Sequence, residues 1–245
     1  MNAGHYRGVA VDLRGVTTVL LPGTGSDRDY VLRAFSGPLR EVGAVLVAPA
    51  PQPDRLIDGY VSALDAAART GPIAVGGVSI GAAVAVAWAL AHADKTVAVL
   101  AALPAWAGAP EAAPAALAAR HTASQLRADG LEATTSQMRA SSPSWLADEL
   151  ARSWRAQWPQ LPDAMDEAAG YAAPSQAQLA RLTAPLAVAA AVDDPIHPLQ
   201  VGVEWVGAAP HAALRTVTLD QIGSDPAALG AACLAALADL TRRLT

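Results

Sequence analysis

Short apolar runs alternate with stretches of helical periodicity along most of the chain. The runs are nearly continuous, as in strands covered on both faces, and include VTTVLLPG, AVLVAPAP, PIAVGGVS, KTVAVLAALP, PLAVAAAVDD and LRTVTL. The helical patterns between them include DYVLRAFSGPLREVG, RLIDGYVSALDAAART, the segment from Ile80 to His92, PLQVGVEWVGAAP and DPAALGAACLAALADLTRRL. This alternation predicts an α/β protein with parallel strands joined by crossover helices. A further strand, GVAVDLRG, is predicted before VTTVLLPG, so that the chain opens with a pair of strands.

The alternation stops between about Ala105 and Thr183. This stretch has no convincing strand and contains the helical patterns AALAARHTASQLRADG and SPSWLADELARSWRAQW. We interpret it as a helical insertion. The predicted organisation is therefore a core of residues 1–104 and 184–245, with a helical lid of residues 105–183.

Composition and charge narrow the classes of partner. The 245 residues are 53% apolar and 16% charged, as expected for one large, well-buried α/β domain. The net charge is -5, and no Lys/Arg cluster gives an electrostatic footprint for nucleic acid or an anionic membrane. We therefore expect a small-molecule substrate and no nucleic-acid partner. We also predict neither a metal nor a cofactor.

Two segments bear on where in the cell the protein is expected: the N-terminal stretch and one long apolar stretch. The N-terminal stretch MNAGHYRGVAVDLRG has charges where a signal peptide needs its apolar segment, which predicts a cytoplasmic location. The apolar stretch from Ser79 to Ala93 is too short and too interrupted for a membrane span. It fits a buried helix beside a sheet.

The segment Gly77-Val78-Ser79-Ile80-Gly81 has the pattern G-x-S-x-G between an apolar strand and an apolar helix. Small residues on both sides of the serine allow a strained turn and close approach of strand to helix. The turn exposes the hydroxyl and leaves the Ile80 N–H free to donate to an oxyanion. The pattern thus indicates a nucleophile at Ser79, the alternative being an ordinary glycine turn.

With this motif the chain resembles the α/β-hydrolase fold family over nearly its whole length. The resemblance implies a mostly parallel central sheet flanked by helices, with a helical lid insertion. In that family the loop after the first central strand supplies a second oxyanion amide. The matching stretch here is LLPGTGSD, in which Pro22 replaces the usual histidine, Gly23 is retained and Thr24 is the candidate donor.

The resemblance also implies an acid after a later strand and a histidine base after the last one. In AAAVDDPIHP it selects Asp194, four residues before Pro198, with Asp193 as the alternative. The segment VTLDQIGSDPAALG has no histidine, and Ser224 occupies the position of the base. A serine cannot replace imidazole there, because its hydroxyl has no proton-accepting state near neutral pH.

The five histidines offer one serious substitute. His197 lies beside the acid in sequence, and we expect it to line the site entrance or pack in its loop. The others are predicted to be solvated or away from the site: His5, His92, His121 and His211.

The predicted activity is that of a serine hydrolase. The chain would cleave an ester, thioester or lactone of a small apolar substrate through an acyl-enzyme. Three interpretations of the missing base remain open. We favour an engineered His-to-Ser variant with little activity, because the rest of the constellation is intact. The others are a naturally degenerate, non-catalytic ligand-binding protein on the hydrolase scaffold, and a hydrolase with another base or mechanism.

The predicted lid is rich in tryptophan. Its indole rings can line a pocket for an apolar acyl or ring compound, or equally pack the lid against the core. The candidate pocket residues are Trp106, Trp145, Trp154 and Trp158.

Overall fold

The computed structural model describes residues 11–242. These residues form one sheet of six strands, and every neighbouring pair of strands is parallel. The strands are β1 (Thr17–Leu21), β2 (Val45–Val47), β3 (Ile73–Val78), β4 (Thr96–Ala102), β5 (Leu186–Ala191) and β6 (Ala212–Val217). Their order across the sheet is β2-β1-β3-β4-β5-β6. The predicted parallel α/β architecture is confirmed.

Helices connect the strands and cover both faces of the sheet. They are α1 (Arg28–Glu41), α2 (Leu56–Ala67), α3 (Ile80–Ala91), α4 (Pro114–Ser141), α5 (Ser144–Gln157), α6 (Leu161–Gly170), α7 (Gln176–Leu179), α8 (Leu199–Ala208), α9 (Leu219–Ser224) and α10 (Ala227–Arg242). Within residues 11–242, no helix is both long enough and apolar enough to cross a membrane.

Two apolar cores lie on opposite faces of the sheet, because successive side chains of a strand point to opposite sides. Val75 and Val99 belong to the core that includes α2, α3 and the buried Trp205 of α8. Ala74 and Leu100, one residue away in the same strands, belong to the core that includes α1 and α10. Burial on both faces explains why these strands are apolar almost throughout.

The predicted opening pair of strands is wrong within the described residues. Residues 8–10 of GVAVDLRG lie outside them, and residues 11–16 contain no strand. Asp12 accepts a hydrogen bond from the Arg14 N–H (2.9 Å), and the Val16 N–H donates to the Leu13 carbonyl (2.9 Å). Gly15 takes a left-handed φ of 72°. These local bonds make a turn, which competes with extended backbone.

The stretch from 105 to 183, called the helical segment below, contains α4 to α7 and no strand. Helix α4 is broken at Gly130, where φ is 79° and ψ is 173°. Its two arms face each other, since the Gln125 side chain donates to that of Gln137 at 2.7 Å. The segment also has a small apolar cluster of its own, formed by Ala123, Leu126, Trp154, Leu161 and Met165.

Candidate active site

Ser79 lies in the turn between β3 and α3, at the carboxyl edge of the sheet. Its backbone has φ 55° and ψ −116°, a region that residues other than glycine seldom adopt. Two contacts hold this conformation: the Ser79 N–H donates to the Ala102 carbonyl (2.9 Å), and its carbonyl accepts from the Ala82 N–H (3.1 Å). The surrounding structure therefore fixes the strained turn.

The two glycines of the motif allow β1 to approach this turn. A Cβ added at Gly77 would overlap with the Leu21 carbonyl oxygen, and one added at Gly81 would lie 2.7 Å from the Pro22 carbonyl oxygen. Both obstacles are backbone atoms, which cannot move aside cheaply. The spacing G-x-S-x-G thus has a steric cause in this fold.

His197 connects Asp194 to Ser79. Its Nδ1 lies 2.8 Å from Asp194 Oδ2, and its Nε2 lies 3.0 Å from Ser79 Oγ. Because an ionised carboxylate only accepts hydrogen bonds, we assign the ring proton to Nδ1. Nε2 then has a free lone pair, which accepts the hydrogen bond of the Ser79 hydroxyl. This is the arrangement that general-base activation of a serine requires.

The loop after β5 stabilises the charged form of Asp194. Its Oδ1 accepts from the backbone N–H groups of Ile196 (2.8 Å) and His197 (3.2 Å). Burial by itself would raise the pKa of Asp194, but the His197 side chain and these two N–H groups outweigh it and lower that pKa below its ordinary value. Asp194 is therefore ionised at neutral pH and can orient the imidazole.

The structure corrects the prediction that Ser224 stands in the position of the base. Ser224 is the exposed last residue of α9 and does not line the cavity at Ser79. A capping box starts this helix: Thr218 Oγ1 accepts from the Gln221 N–H (3.1 Å), and Gln221 Oε1 accepts from the Thr218 N–H (2.9 Å). His197, weighed as a substitute base but expected to line the entrance or pack in its loop, lines the cavity and also lies within hydrogen-bond distance of Ser79 Oγ.

Asp193, the alternative acid, contacts a different part of the molecule. Its Oδ1 accepts from the Leu219 N–H at 2.9 Å, at the start of α9. The two neighbouring aspartates thus diverge, one toward the imidazole and one toward a helix terminus. The sequence does carry a signal for the pair Asp194 and His197, namely the spacing D-x-x-H in DDPIHP. We gave it little weight because the resemblance implied a histidine after the last strand.

The two residues predicted to supply the oxyanion amides, Thr24 and Ile80, lie close to Ser79 in the structure. Gly23 packs against it, since a Cβ added at Gly23 would lie 3.5 Å from Ser79 Cβ. Thr24 follows in a turn closed by the Ser26 N–H donating to the Gly23 carbonyl (3.0 Å), and it lines the same cavity as Ser79. Ile80 is the first residue of α3, where backbone N–H groups have no partner within the helix.

A cavity of about 610 Å³ opens above Ser79, with Asp194 and His197 in its wall. The helical segment supplies much of the rest, including Ala115, Ala118, Ala119, Met138, Leu146 and Leu150. Of the four tryptophans proposed for a pocket, Trp106, Trp145 and Trp154 line the cavity. Trp158 does not, and 38% of its surface is exposed.

The remaining histidines differ in their surroundings. His5 lies outside the described residues. His92 is half-buried and stacks on Trp88, with ring centroids 4.3 Å apart, so it is not simply solvated. His121 is exposed on α4 and lines the cavity, whereas His211 precedes β6 at the opposite edge of the sheet.

No possible metal site is found in residues 11–242, in the sense of three or more His, Cys, Asp or Glu side chains grouped together. The site described above consists of a serine, an imidazole, a carboxylate and backbone amides.

No protein-family model matches the sequence, and no curated protein matches it. Solved structures do match in fold. A structure from the carboxylesterases of the thaumarchaeon Nitrososphaera gargenis has a TM-score of 0.72 at 16% identity, covering 95% of this chain and 93% of that one. A thermophilic esterase from Thermogutta terrifontis has a TM-score of 0.67 at 18% identity, covering 93% and 91%. An enol-lactonase from Burkholderia xenovorans has a TM-score of 0.63 at 18% identity, covering 89% and 85%.

These likenesses extend over nearly the whole of each chain. They agree with the observed parallel sheet and its flanking helices. The chain has the α/β-hydrolase fold.

Proposed function

We propose that the chain is an active serine hydrolase for esters, thioesters or lactones, with Ser79 as nucleophile, His197 as base and Asp194 as the acid that orients it. The observation that carries this proposal is the continuous pair of hydrogen bonds from Ser79 Oγ through the imidazole to Asp194, at 3.0 and 2.8 Å. The serine, imidazole and carboxylate roles of a catalytic triad are recognised by such geometry and not by sequence position.

Acylation starts when Ser79 Oγ attacks the substrate carbonyl carbon while His197 Nε2 takes the hydroxyl proton. The Thr24 and Ile80 N–H groups donate to the oxyanion of the tetrahedral intermediate. Asp194 stabilises the imidazolium through Nδ1. When the intermediate collapses, the leaving alcohol or thiol takes the proton from Nε2 and the acyl group remains on Ser79.

Deacylation repeats the sequence with water as nucleophile. His197 Nε2 takes a proton from the water as its oxygen attacks the acyl carbon, and the same amides receive the oxyanion. Collapse returns the proton from Nε2 to Ser79 Oγ and releases the carboxylic acid. For a lactone, the leaving alcohol and the acyl group belong to one product.

The helical segment would serve as a lid over Ser79 and select the substrate. The cavity volume of about 610 Å³ lies within the usual range of small-molecule sites, and its wall is mainly apolar. Two of the described residues that line it, Glu149 and Asp194, are acidic. Arg152 lines it too, but its positive charge is paired with Asp27 and Glu149. We therefore expect a neutral, apolar acyl or ring compound. The proposal includes no cofactor, and the cytoplasmic location stays a prediction.

The solved structures that are similar in fold support this substrate class through their names alone. They include an esterase, carboxylesterases and an enol-lactonase. The engineered His-to-Ser interpretation and the non-catalytic alternative both depended on a missing base, and the hydrogen bonds of His197 argue against that premise.

The proposal is tested by assaying p-nitrophenyl esters from acetate to decanoate. We expect the unmodified chain to hydrolyse them and Ser79→Ala to lower kcat by about 10⁶-fold. A fluorophosphonate probe should label Ser79 in the unmodified chain and leave Ser79→Ala unlabelled. An unmodified chain that neither hydrolyses ester, thioester and lactone substrates nor reacts with the probe would contradict the proposal.

A further inference from the structure

Helix α5 of the helical segment contacts the loop that carries Thr24. We call residues 23–27 the oxyanion loop. The Gln157 side chain donates from Nε2 to the Ser26 carbonyl (3.0 Å) and to Ser153 Oγ (2.8 Å). Gln157 is 5% exposed, so both bonds are shielded from water. Its amide is therefore fixed on one side by α5 and holds the oxyanion loop on the other.

A second contact lies at the end of the oxyanion loop. Arg152 Nη2 donates to both carboxylate oxygens of Asp27, at 2.9 Å each. Asp27 also starts α1, because its Oδ1 accepts from the Tyr30 N–H at 3.0 Å. The guanidinium thus connects α5 to the residue at which the oxyanion loop becomes a helix.

The middle of the loop packs under an indole ring. Trp154 is 4% exposed, and a Cβ added at Gly25 would lie 2.8 Å from its Nε1. Gly25 has a left-handed φ of 68°, so both its conformation and its closeness to Trp154 favour glycine. Three consecutive residues of the loop, 25 to 27, are therefore each held by one side chain of α5.

We infer that α5 positions the Thr24 amide for oxyanion binding, with Gln157 and Arg152 as positioning residues. This inference rests on the proposed function, since it assigns the way in which one of the two oxyanion donors is held. A donor misplaced by about 1 Å can lose about 10²-fold in rate, and loops hold such groups less well than regular elements do. The contacts with α5 attach the oxyanion loop to a regular helix, which holds it in position.

The test uses Gln157→Met, which keeps the side-chain volume and removes the donor to Ser26. We expect kcat for p-nitrophenyl esters to fall by about 10- to 100-fold and KM to change by less than about threefold. Interactions that are made only with the oxyanion act on kcat, because the bound ester has not yet developed that charge.

Glu167→Met is the matched control. Glu167, on α6, also joins the helical segment to the core, where it accepts from the Leu56 and Ile57 N–H groups at 2.8 and 3.0 Å. These contacts lie at the start of α2 and not on the oxyanion loop. We expect this variant to lose stability while its kcat stays within about twofold of the unmodified chain.

Arg152→Met, at a more exposed position, is the second variant in case the buried change impairs folding. Two further measurements are made on each folded variant: amide hydrogen exchange of residues 23–27 and inhibition by an alkyl boronic acid, which forms a tetrahedral adduct with a nucleophilic serine. Faster exchange and an affinity for the boronic acid reduced by the same factor as kcat support the inference.

The inference is overturned if Gln157→Met and Arg152→Met keep kcat within about twofold while the unmodified chain is active. It is also overturned if Glu167→Met lowers kcat as much as they do, because any loosening of the helical segment would then suffice. An unmodified chain without hydrolase activity is a different result, which contradicts the proposed function itself.

Discussion

Strands β5 and β6 are parallel neighbours, so the segments that follow them begin at the same edge of the sheet. These two segments differ in structure. After β5 the chain forms an irregular loop, and within four residues it brings Asp194 and His197 into line with Ser79. After β6 it forms α9, whose capping box uses Thr218 and Gln221. The two segments touch each other, since Asp193 accepts from the first N–H of α9.

The difference teaches that a histidine can reach Ser79 from the loop after β5 as well as from the segment after β6 that the resemblance implied. What matters is that the loop begins at the carboxyl edge of the sheet, and not its place in the order of the chain. Sites in parallel α/β sheets form outside the carboxyl ends of the strands, where loops from different strands meet. An imidazole three residues after the carboxylate reaches both partners because the loop folds back on itself. The segment after β6 is then free to form a helix.

The strongest test of this comparison exchanges the two candidate positions of the base. His197→Ala should lower kcat by about 10⁶-fold, as expected for removal of the general base from a triad. Ser224→His should leave kcat within about twofold, because position 224 is exposed and outside the cavity. Both are measured with p-nitrophenyl esters. An increase of several orders of magnitude in Ser224→His would reverse the assignment.

The adjacent aspartates provide the next test. Asp194→Asn should lower kcat by about 10⁴-fold, because an amide can donate to Nδ1 and favour the wrong imidazole tautomer. Asp193→Asn should change kcat by less than about threefold, since Asp193 contacts only the start of α9 among the hydrogen bonds described above. Steady-state kinetics separate the two, and equal losses would show that the carboxylates act as one unit.

The smallest expected effect concerns α9. Thr218→Ala removes its N-cap and should lower the free energy of unfolding by about 1 kcal/mol, with kcat within about twofold. Urea unfolding and ester hydrolysis measure the two quantities. Ser175→Ala, which removes the similar capping box of α7, is the control and should have the same cost. A tenfold fall in kcat for Thr218→Ala alone would mean that α9 supports the site through Asp193.

Much of the architecture followed from the sequence because its signals are local. The runs that became β3, β4 and β5 are apolar on both faces, and the glycines around Ser79 mark a turn that larger residues cannot enter. The broken alternation after β4 correctly indicated helices. In each case, the signal can be read from residues close together in the chain.

The parts that were missed depend on competition between local bonds or on the path of a loop. Asp12 and Gly15 form a turn where the apolar pattern favoured a strand. The T-x-x-Q pattern of Thr218 and Gln221 is typical of a helix start, but this segment was considered only as the place of a histidine base. The contact of His197 with Ser79 spans 118 positions, and no spacing rule in a single sequence determines such a distance.

The break at Gly130 has a consequence for how such a protein can change over generations. Its left-handed φ of 79° lets both arms of α4 face the cavity, one with small residues such as Ala115 and Ala118, the other with Met138. None of these positions belongs to the sheet or to the turn at Ser79. Under the proposed function, substitutions on α4 can widen or narrow substrate preference while the reaction chemistry is inherited unchanged.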